Sequence, residues 1–151
     1  MPKHEVVSMK SAILILTSLL FLTGVSEGKE VSEVTYLQDR NGIKFQINSQ
    51  TPFTGRFVKS YDNGQRMIEW NYKNGKKEGY WTIWFENGEK KSVKNYKNGE
   101  LDGLNSLWFK RGQKRVERYY KNGNKYGLWT YWDKKGNVTK TETYKNGKLI
   151  K

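Results

Sequence analysis

The chain has 151 residues, with 28 Lys+Arg against 15 Asp+Glu for a formal net charge of +13, and no cysteine. The missing thiols exclude disulfides, thiolate metal sites and lipid attachment at an N-terminal cysteine. Hydrophobic residues make up 35% and aromatic ones 15%, with a mean hydropathy of −0.91, so burial must come from rings with polar tips more than from a dry aliphatic centre.

Residues 1–28 read as an export signal. Lys10 precedes an apolar run from Ala12 to Leu22, and small residues come after it at Gly24, Ser26 and Gly28. This order predicts cleavage near residues 26–28 and a secreted, periplasmic or cell-surface protein. The run is shorter than the ~20 residues a membrane-spanning helix needs. Met9 with Lys10 after it offers a second start, and a retained anchor or buried helix is the competing reading of the segment. Residues 29–54 form a lead-in. Asp39-Arg40-Asn41-Gly42 has turn chemistry and Ile43 to Ile47 alternates apolar with polar, which predicts a degenerate hairpin capping the rest of the chain. Pro52 suits a sheet margin because it has no N–H to give a ladder.

From residue 55 the chain is periodic. Tyr-Lys-Asn-Gly recurs at Tyr72, Tyr96, Tyr120 and Tyr144, each 24 residues after the one before. Gly55, Gly79, Gly103 and Gly127 keep the same step, as do Gly64, Gly88, Gly112 and Gly136. A fixed period of this size marks stacked supersecondary units. There are four units, 55–78, 79–102, 103–126 and 127–150, filling the domain at 55–151. Within each, two strand-like runs are joined by a turn that contains a glycine, such as Asn87-Gly88, and Asn-Gly turns the chain again at each junction. The fold class is all-β: an elongated antiparallel β-meander of tandem 24-residue hairpin repeats in a single-layer twisted sheet. The structural turns are Gly64, Gly75, Gly88, Gly99, Gly112, Gly123, Gly136 and Gly147.

Two-residue loops at every turn would set Phe85 opposite Lys90, Ile83 opposite Ser92, Trp81 opposite Lys94, Tyr96 opposite Leu101 and Ser92 opposite Asn105. One face then carries Trp81, Ile83, Phe85, Lys90, Ser92, Lys94 and Tyr96, and the other Tyr80, Thr82, Trp84, Lys91 and Val93. Repetition makes ladders of aromatics: tyrosines 72, 96, 120 and 144 with Phe57, Trp81 and Trp129 on the first face, and Trp84, Trp108 and Trp132 on the second. Equivalent rungs are two strands, roughly 9.5 Å, apart, so the intervening strand must fill the gaps. The expected fillers are long basic chains, Arg66, Lys90, Lys94, Lys114, Arg118 and Lys140, with stems over rings and charges reaching water or the ring face.

The unit Gly79-Tyr80-Trp81, Trp84-Phe85, Asn87-Gly88 and Tyr96-Lys97-Asn98-Gly99, closed by Gly103, resembles the MORN-repeat variant found in many bacterial proteins. Thr51-Pro52-Phe53-Thr54-Gly55 is similar to what often precedes the first unit there. The resemblance covers residues 51–151, and 36–50 weakly. It implies a hairpin array without an active site. Some relatives are labelled antitoxin components of toxin–antitoxin modules, and others borrow names from lipid kinases, but no kinase signature is present here. Asn105 departs from the pattern where the second and fourth units have Trp81 and Trp129, and Asp133 departs where the others have Tyr61, Phe85 and Phe109.

The only histidine, His4, falls in the expected signal, so nucleophile and base chemistry reduces to carboxylates, hydroxyls and lysines, and no catalytic, metal or cofactor site is expected. The expectation is an exported non-catalytic module for protein–protein interaction or for self-association through the edge strand. Its alternatives are a binder of anionic membrane headgroups or cell-wall polymers and an antitoxin-like component. Nucleic acid ranks last, because an exported protein seldom meets it. The candidate binding surface is Trp81, Trp84, Trp108, Trp129, Trp132, Tyr96, Tyr120, Lys90, Lys94, Lys114 and Arg118.

Overall fold

The computed structural model describes residues 33–151, and the expected export signal lies outside the described residues. The strands, in chain order, are β1 (Glu33–Val34), β2 (Gln38–Arg40), β3 (Ile43–Phe45), β4 (Gly55–Ser60), β5 (Arg66–Lys73), β6 (Lys76–Trp84) and β7 (Lys90–Lys97). The chain continues through β8 (Glu100–Leu101), β9 (Gly103–Trp108), β10 (Lys114–Lys121), β11 (Asn124–Trp132), β12 (Val138–Lys145) and β13 (Lys148–Leu149). No helix occurs among the described residues. One sheet of 11 strands runs β1-β4-β5-β6-β7-β9-β10-β11-β12-β13, with β8 also on β7, and β2–β3 form a separate hairpin. Apart from β1, which lies parallel to β4, every neighbour in it is antiparallel. The meander expected from the 24-residue period is therefore the fold.

The two columns of turns differ. At the junctions both loop residues have positive φ, as in Asn98 (51°) and Gly99 (93°), with Lys97 and Glu100 paired across the loop. This is the mirror-image two-residue turn whose twist matches the strands. The turns inside the units are longer. Phe85 N–H donates to the Glu89 carbonyl at 2.8 Å and Gly88 N–H donates to the Phe85 carbonyl at 2.9 Å, so Glu86, Asn87 and Gly88 close the loop. Only the glycine is left-handed there, at φ 83°. The expectation of two-residue loops in this column is thereby corrected. Composition carries the reason: the junction column always has asparagine (Asn74, Asn98, Asn122, Asn146), whereas the inner column has Asn63, Asn87, Arg111 and Lys135. A right-handed loop position accepts any of these residues.

The longer loop changes the register. Trp81 lies opposite Lys94 and Ile83 opposite Ser92 as expected, but Trp84 then pairs with Lys90 and leaves Lys91 as an extra residue. A one-residue bulge exchanges the faces of the strand beyond it. Lys90 therefore sits opposite Trp84 and Lys114 opposite Trp108, not on the Trp81 side, and Arg66 sits opposite Ser60. The bulged Lys91 brings its ammonium to 5.7 Å from the Phe85 ring instead.

A second slip occurs at each junction. Tyr96 pairs with Leu101 as expected, but Ser92 lies opposite Leu107 where Asn105 was expected, a shift of two residues around Gly103 (φ 96°). The same step separates the Tyr72–Lys77 pair from Trp70–Trp81, and Tyr120–Lys125 from Glu117–Thr130. An even slip keeps side chains on their own face. Trp81, Asn105 and Trp129 thus stay in line with the tyrosines despite the altered register.

Junction turns are tied to the preceding unit by backbone bonds of constant form. Gly75, Gly99, Gly123 and Gly147 N–H donate to the carbonyls of Phe53, Lys77, Leu101 and Lys125 at 2.7, 2.9, 2.8 and 3.0 Å. Beside them the asparagine N–H finds a side-chain acceptor: Thr54 Oγ1 for Asn74, Glu78 Oε2 for Asn98 and Asp102 Oδ2 for Asn122. Glu78 and Asp102 are thus turn caps.

The N-terminal end is closed by the lead-in. Lys44 N–H donates to the Gly75 carbonyl at 2.9 Å and Phe53 N–H to the Lys44 carbonyl at 2.8 Å, which fixes the β2–β3 hairpin onto the first junction turn. Phe53, Phe57, Tyr72 and Trp81 form a buried cluster there, covered by Val34, Leu37, Ile68, Trp70 and Tyr96.

Candidate binding surfaces

On the first face the rings form a packed ladder. Phe57 and Trp70 stack at 5.5 Å between centroids, and Trp70 and Trp81 at 4.5 Å and 9°. Tyr72 and Tyr96 each meet Trp81 at 5.1 Å. Trp70 fills the gap for which basic chains were expected. Further along, Tyr120–Trp129 and Trp129–Tyr144 repeat the contact at 5.2 and 4.6 Å. Two of the indole N–H groups bond across the sheet, from Trp81 to the Asn71 carbonyl at 2.8 Å and from Trp129 to the Tyr119 carbonyl at 3.0 Å.

Cations cover these rings. Lys77 lies 4.7 Å from Trp81 and 4.9 Å from Tyr96, and Lys125 lies 4.8 Å from Trp129 and 4.7 Å from Tyr144. Neither lysine was among the expected fillers. Their signal was legible, because both sit two residues before the glycine of their unit, in the column occupied by Phe53 and Leu101 elsewhere. Of the expected basic chains, Arg118 lies over Trp129 at 5.1 Å and Tyr131 at 5.5 Å, and Lys140 over Tyr131 at 5.7 Å. Trp81 and Trp129 are only 8% and 3% exposed, so they serve as rungs of the fold and offer little area to a ligand. Tyr96, Tyr120 and Arg118 are half-buried, and Lys94 is exposed on this same face.

Burial also sets the titration of the ladder. Loss of water around Tyr72, and after it the charges of Asp39 and Tyr96, pushes its hydroxyl up to about 12. Tyr96 and Tyr131 move upward too, each mainly through burial. A folded pKa above the unfolded value of about 10 stabilises the fold at pH values below 10, and that contribution is lost as pH climbs through about 12. Half-buried Lys77 is shifted downward, chiefly by burial, and acts in the opposite sense. The melting temperature is therefore expected to fall between about pH 10 and 12, and Tyr72→Phe to flatten that fall in a circular-dichroism pH series.

The second face has two bands. Near the inner turns the half-buried Trp84, Trp108 and Trp132 share this face with the buried Thr82 and Ser106, with Lys90 opposite Trp84, Lys114 opposite Trp108 and an ion pair between Lys114 and Glu117. Lys114 also lies 5.7 Å from the Trp132 ring. Near the junction rim is an exposed apolar row, one residue from each of the last three units: Tyr80 at 63%, Leu104, and Leu128 at 51%, joined by Tyr119 opposite Leu104. Alternation along the strand places Tyr80 on this face, but the row as a whole emerges only from the folded sheet.

Asp133, where the other units have an aromatic, accepts the Lys135 and Asn137 N–H groups at 2.8 and 3.0 Å and the Asn137 side chain at 3.1 Å, and these bonds hold its carboxyl below the usual range. It closes the last inner turn. At the far edge, β13 pairs with only Tyr144 and Lys145 of β12, and Ile150 and Lys151 add two backbone bonds at Thr143. From Val138 to Glu142 the outer side of β12 has no partner among the described residues. No cluster of His, Asp or Glu suited to a metal occurs among them either.

A single-layer sheet in which each 24-residue hairpin rests on the one before defines an open tandem-repeat scaffold. The family model described as the MORN repeat variant matches residues 53–74, 77–98 and 125–146, and the repeat array of this chain belongs to that family. The matches skip the third unit, which carries Asn105. A search of curated proteins finds no match.

Proposed function

We propose that this protein is an exported, non-catalytic repeat module that binds a protein partner or a second copy of itself by strand addition to β12. The observation that carries this reading is the open outer side of Val138 to Glu142 beside the exposed Leu128 and Val138. Such an edge offers backbone donors and acceptors in register, and the apolar neighbours offer side-chain contact. Export rests on the apolar run between Lys10 and Gly24. The family is generally non-catalytic, which supports this reading.

Thr143 N–H points outward, to the Lys151 carbonyl, so by alternation Thr141 N–H also points outward. Thr141→Pro removes that donor without breaking the β11 ladder. Light scattering after gel filtration is expected to show concentration-dependent association of the unaltered chain and a monomer for the variant. A chain that stays monomeric at high concentration and captures no partner sensitive to Thr141→Pro contradicts edge pairing.

A second reading rests on a different observation. Lys73, Lys97, Lys121 and Lys145 are all exposed and stand one per junction turn along one rim, about 9.5 Å apart. A row of this kind fits a polyanion such as an acidic cell-wall polymer or an anionic bilayer. Retention on anionic vesicles or isolated wall is expected to weaken steeply between low and physiological salt, and absence of retention at low salt removes the reading.

A further inference from the structure

The aromatic ladder is interrupted at one rung. Asn105 occupies the column of Trp81 and Trp129, and a cavity of about 190 Å³ opens beside it, bounded by Leu101, Leu107, Tyr120, Lys94 and Arg118. In the second unit the equivalent space is filled by an indole under Lys77. Here Leu101 takes the place of that lysine, and the two cations flank the space instead.

Three features define what the space accepts. First, neither Lys94 nor Arg118 forms an ion pair among the described residues. The buried Arg118 Nε has no hydrogen-bond partner, an unsatisfied donor in need of an acceptor. Second, the walls contributed by Leu101, Leu107 and Tyr120 are apolar or aromatic, as suits a ring. Third, the backbone carbonyl that would receive an indole N–H is already used: Asn95 accepts Asp102 N–H at 3.0 Å, while Asn105 Oδ1 accepts Asn95 N–H at 2.8 Å. A guest therefore needs no ring N–H, but it does need a negative charge.

We propose that this cavity binds a small aromatic carboxylate, its ring in the place of the missing indole against Leu101 and Tyr120 and its carboxylate between Lys94 and Arg118. Arginine suits the task, since its guanidinium pairs a carboxylate in plane while its other face stays on Trp129, 5.1 Å away. The site does not depend on strand addition at β12, which lies in the next unit.

The test uses benzoate as probe, titrated into the ¹⁵N-labelled chain, with toluene and sulfate as the neutral and non-aromatic arms. Benzoate is expected to give saturable amide shifts at Leu101, Asn105, Leu107 and Tyr120, and toluene and sulfate none of comparable size. Asn105→Trp fills the space and is expected to weaken benzoate binding at least about tenfold. Arg118→Gln keeps the space but removes the charge, and is expected to lower affinity similarly, so the result stands even if the tryptophan variant fails to fold. Absence of saturable shifts, equal shifts with sulfate, or unchanged benzoate affinity in Arg118→Gln overturns the proposal.

Discussion

Replacing Trp81 by alanine is expected to destabilise the N-terminal half of the array by about 3–5 kcal/mol, the range for truncating a buried tryptophan. The indole is 8% exposed and sits at the centre of the ladder, stacked on Trp70 at 4.5 Å and touching Tyr72 and Tyr96 at 5.1 Å. Its removal also frees the Asn71 carbonyl and leaves Lys77 without the ring it covers. In a repeat sheet each unit is held by its neighbours alone, so the loss is expected to be local. The ladder is already broken at Asn105, and the Tyr120–Trp129–Tyr144 contacts lie beyond the break. Hydrogen exchange should therefore show lowered protection in β4 to β7 while β10 to β12 keep most of theirs. Uniform loss across all four units would show that the sheet melts as one body and that the interruption has no energetic meaning.

Replacing Gly75 by valine is expected to be nearly as severe, for a different reason. The residue has φ 73°, where a side chain is strained by about 1–2 kcal/mol, and an added Cβ would lie 2.3 Å from Ile43 Cγ2 and 2.8 Å from the Lys44 carbonyl oxygen. The isoleucine tip could turn away, but the Lys44 backbone can withdraw only if the lead-in hairpin lifts off the first turn. That would break the Lys44–Gly75 and Phe53–Lys44 backbone bonds and uncover Phe53 and Tyr72. A total loss above about 3 kcal/mol is expected. The same change at Gly99, where nothing lies within 4 Å of the added atom, should show the strain alone, and Lys97→Ala should stay within about 0.5 kcal/mol. Urea midpoints of the three variants measure the order directly, and equal midpoints for Gly75→Val and Gly99→Val would mean that the hairpin is not seated on the turn.

Much of the candidate surface is legible from the residues because strand side chains alternate and the period is exact in residues. Trp84, Trp108 and Trp132 fall on one face and Trp81, Trp129, Tyr96 and Tyr120 on the other by counting alone. The two misplaced lysines have one origin. Lys90 and Lys114 changed faces because an inner loop of three residues, with a bulge after it at Lys91 and Arg115, moves the register by one. The tolerance of that column for Arg111 and Lys135 was the available clue. The role of Trp70 could not be read from the repeat, since its column continues as Lys94, Arg118 and Glu142, and periodicity reports only what recurs. Glu78 and Asp102 did recur, with Thr54, but a carboxylate before a glycine looks the same whether it faces water or caps a turn 20 residues away.

What the sequence determined by itself was the order of strands, the position of every turn and the identity of the repeated rungs. These come from local chemistry, Asn-Gly at the junctions and alternation between them, repeated at a constant step. Three things were decided only in the folded sheet: which cations lie on which rings, how the lead-in closes the first turn, and where the ladder is left open. Each depends on how neighbouring strands pair, which sets the residues that lie within a few ångströms of one another whatever their separation along the chain. Asn105 is the clearest instance. In the sequence it is a departure from the pattern, and in the sheet it is a cavity beside an arginine nitrogen that has nothing to bond.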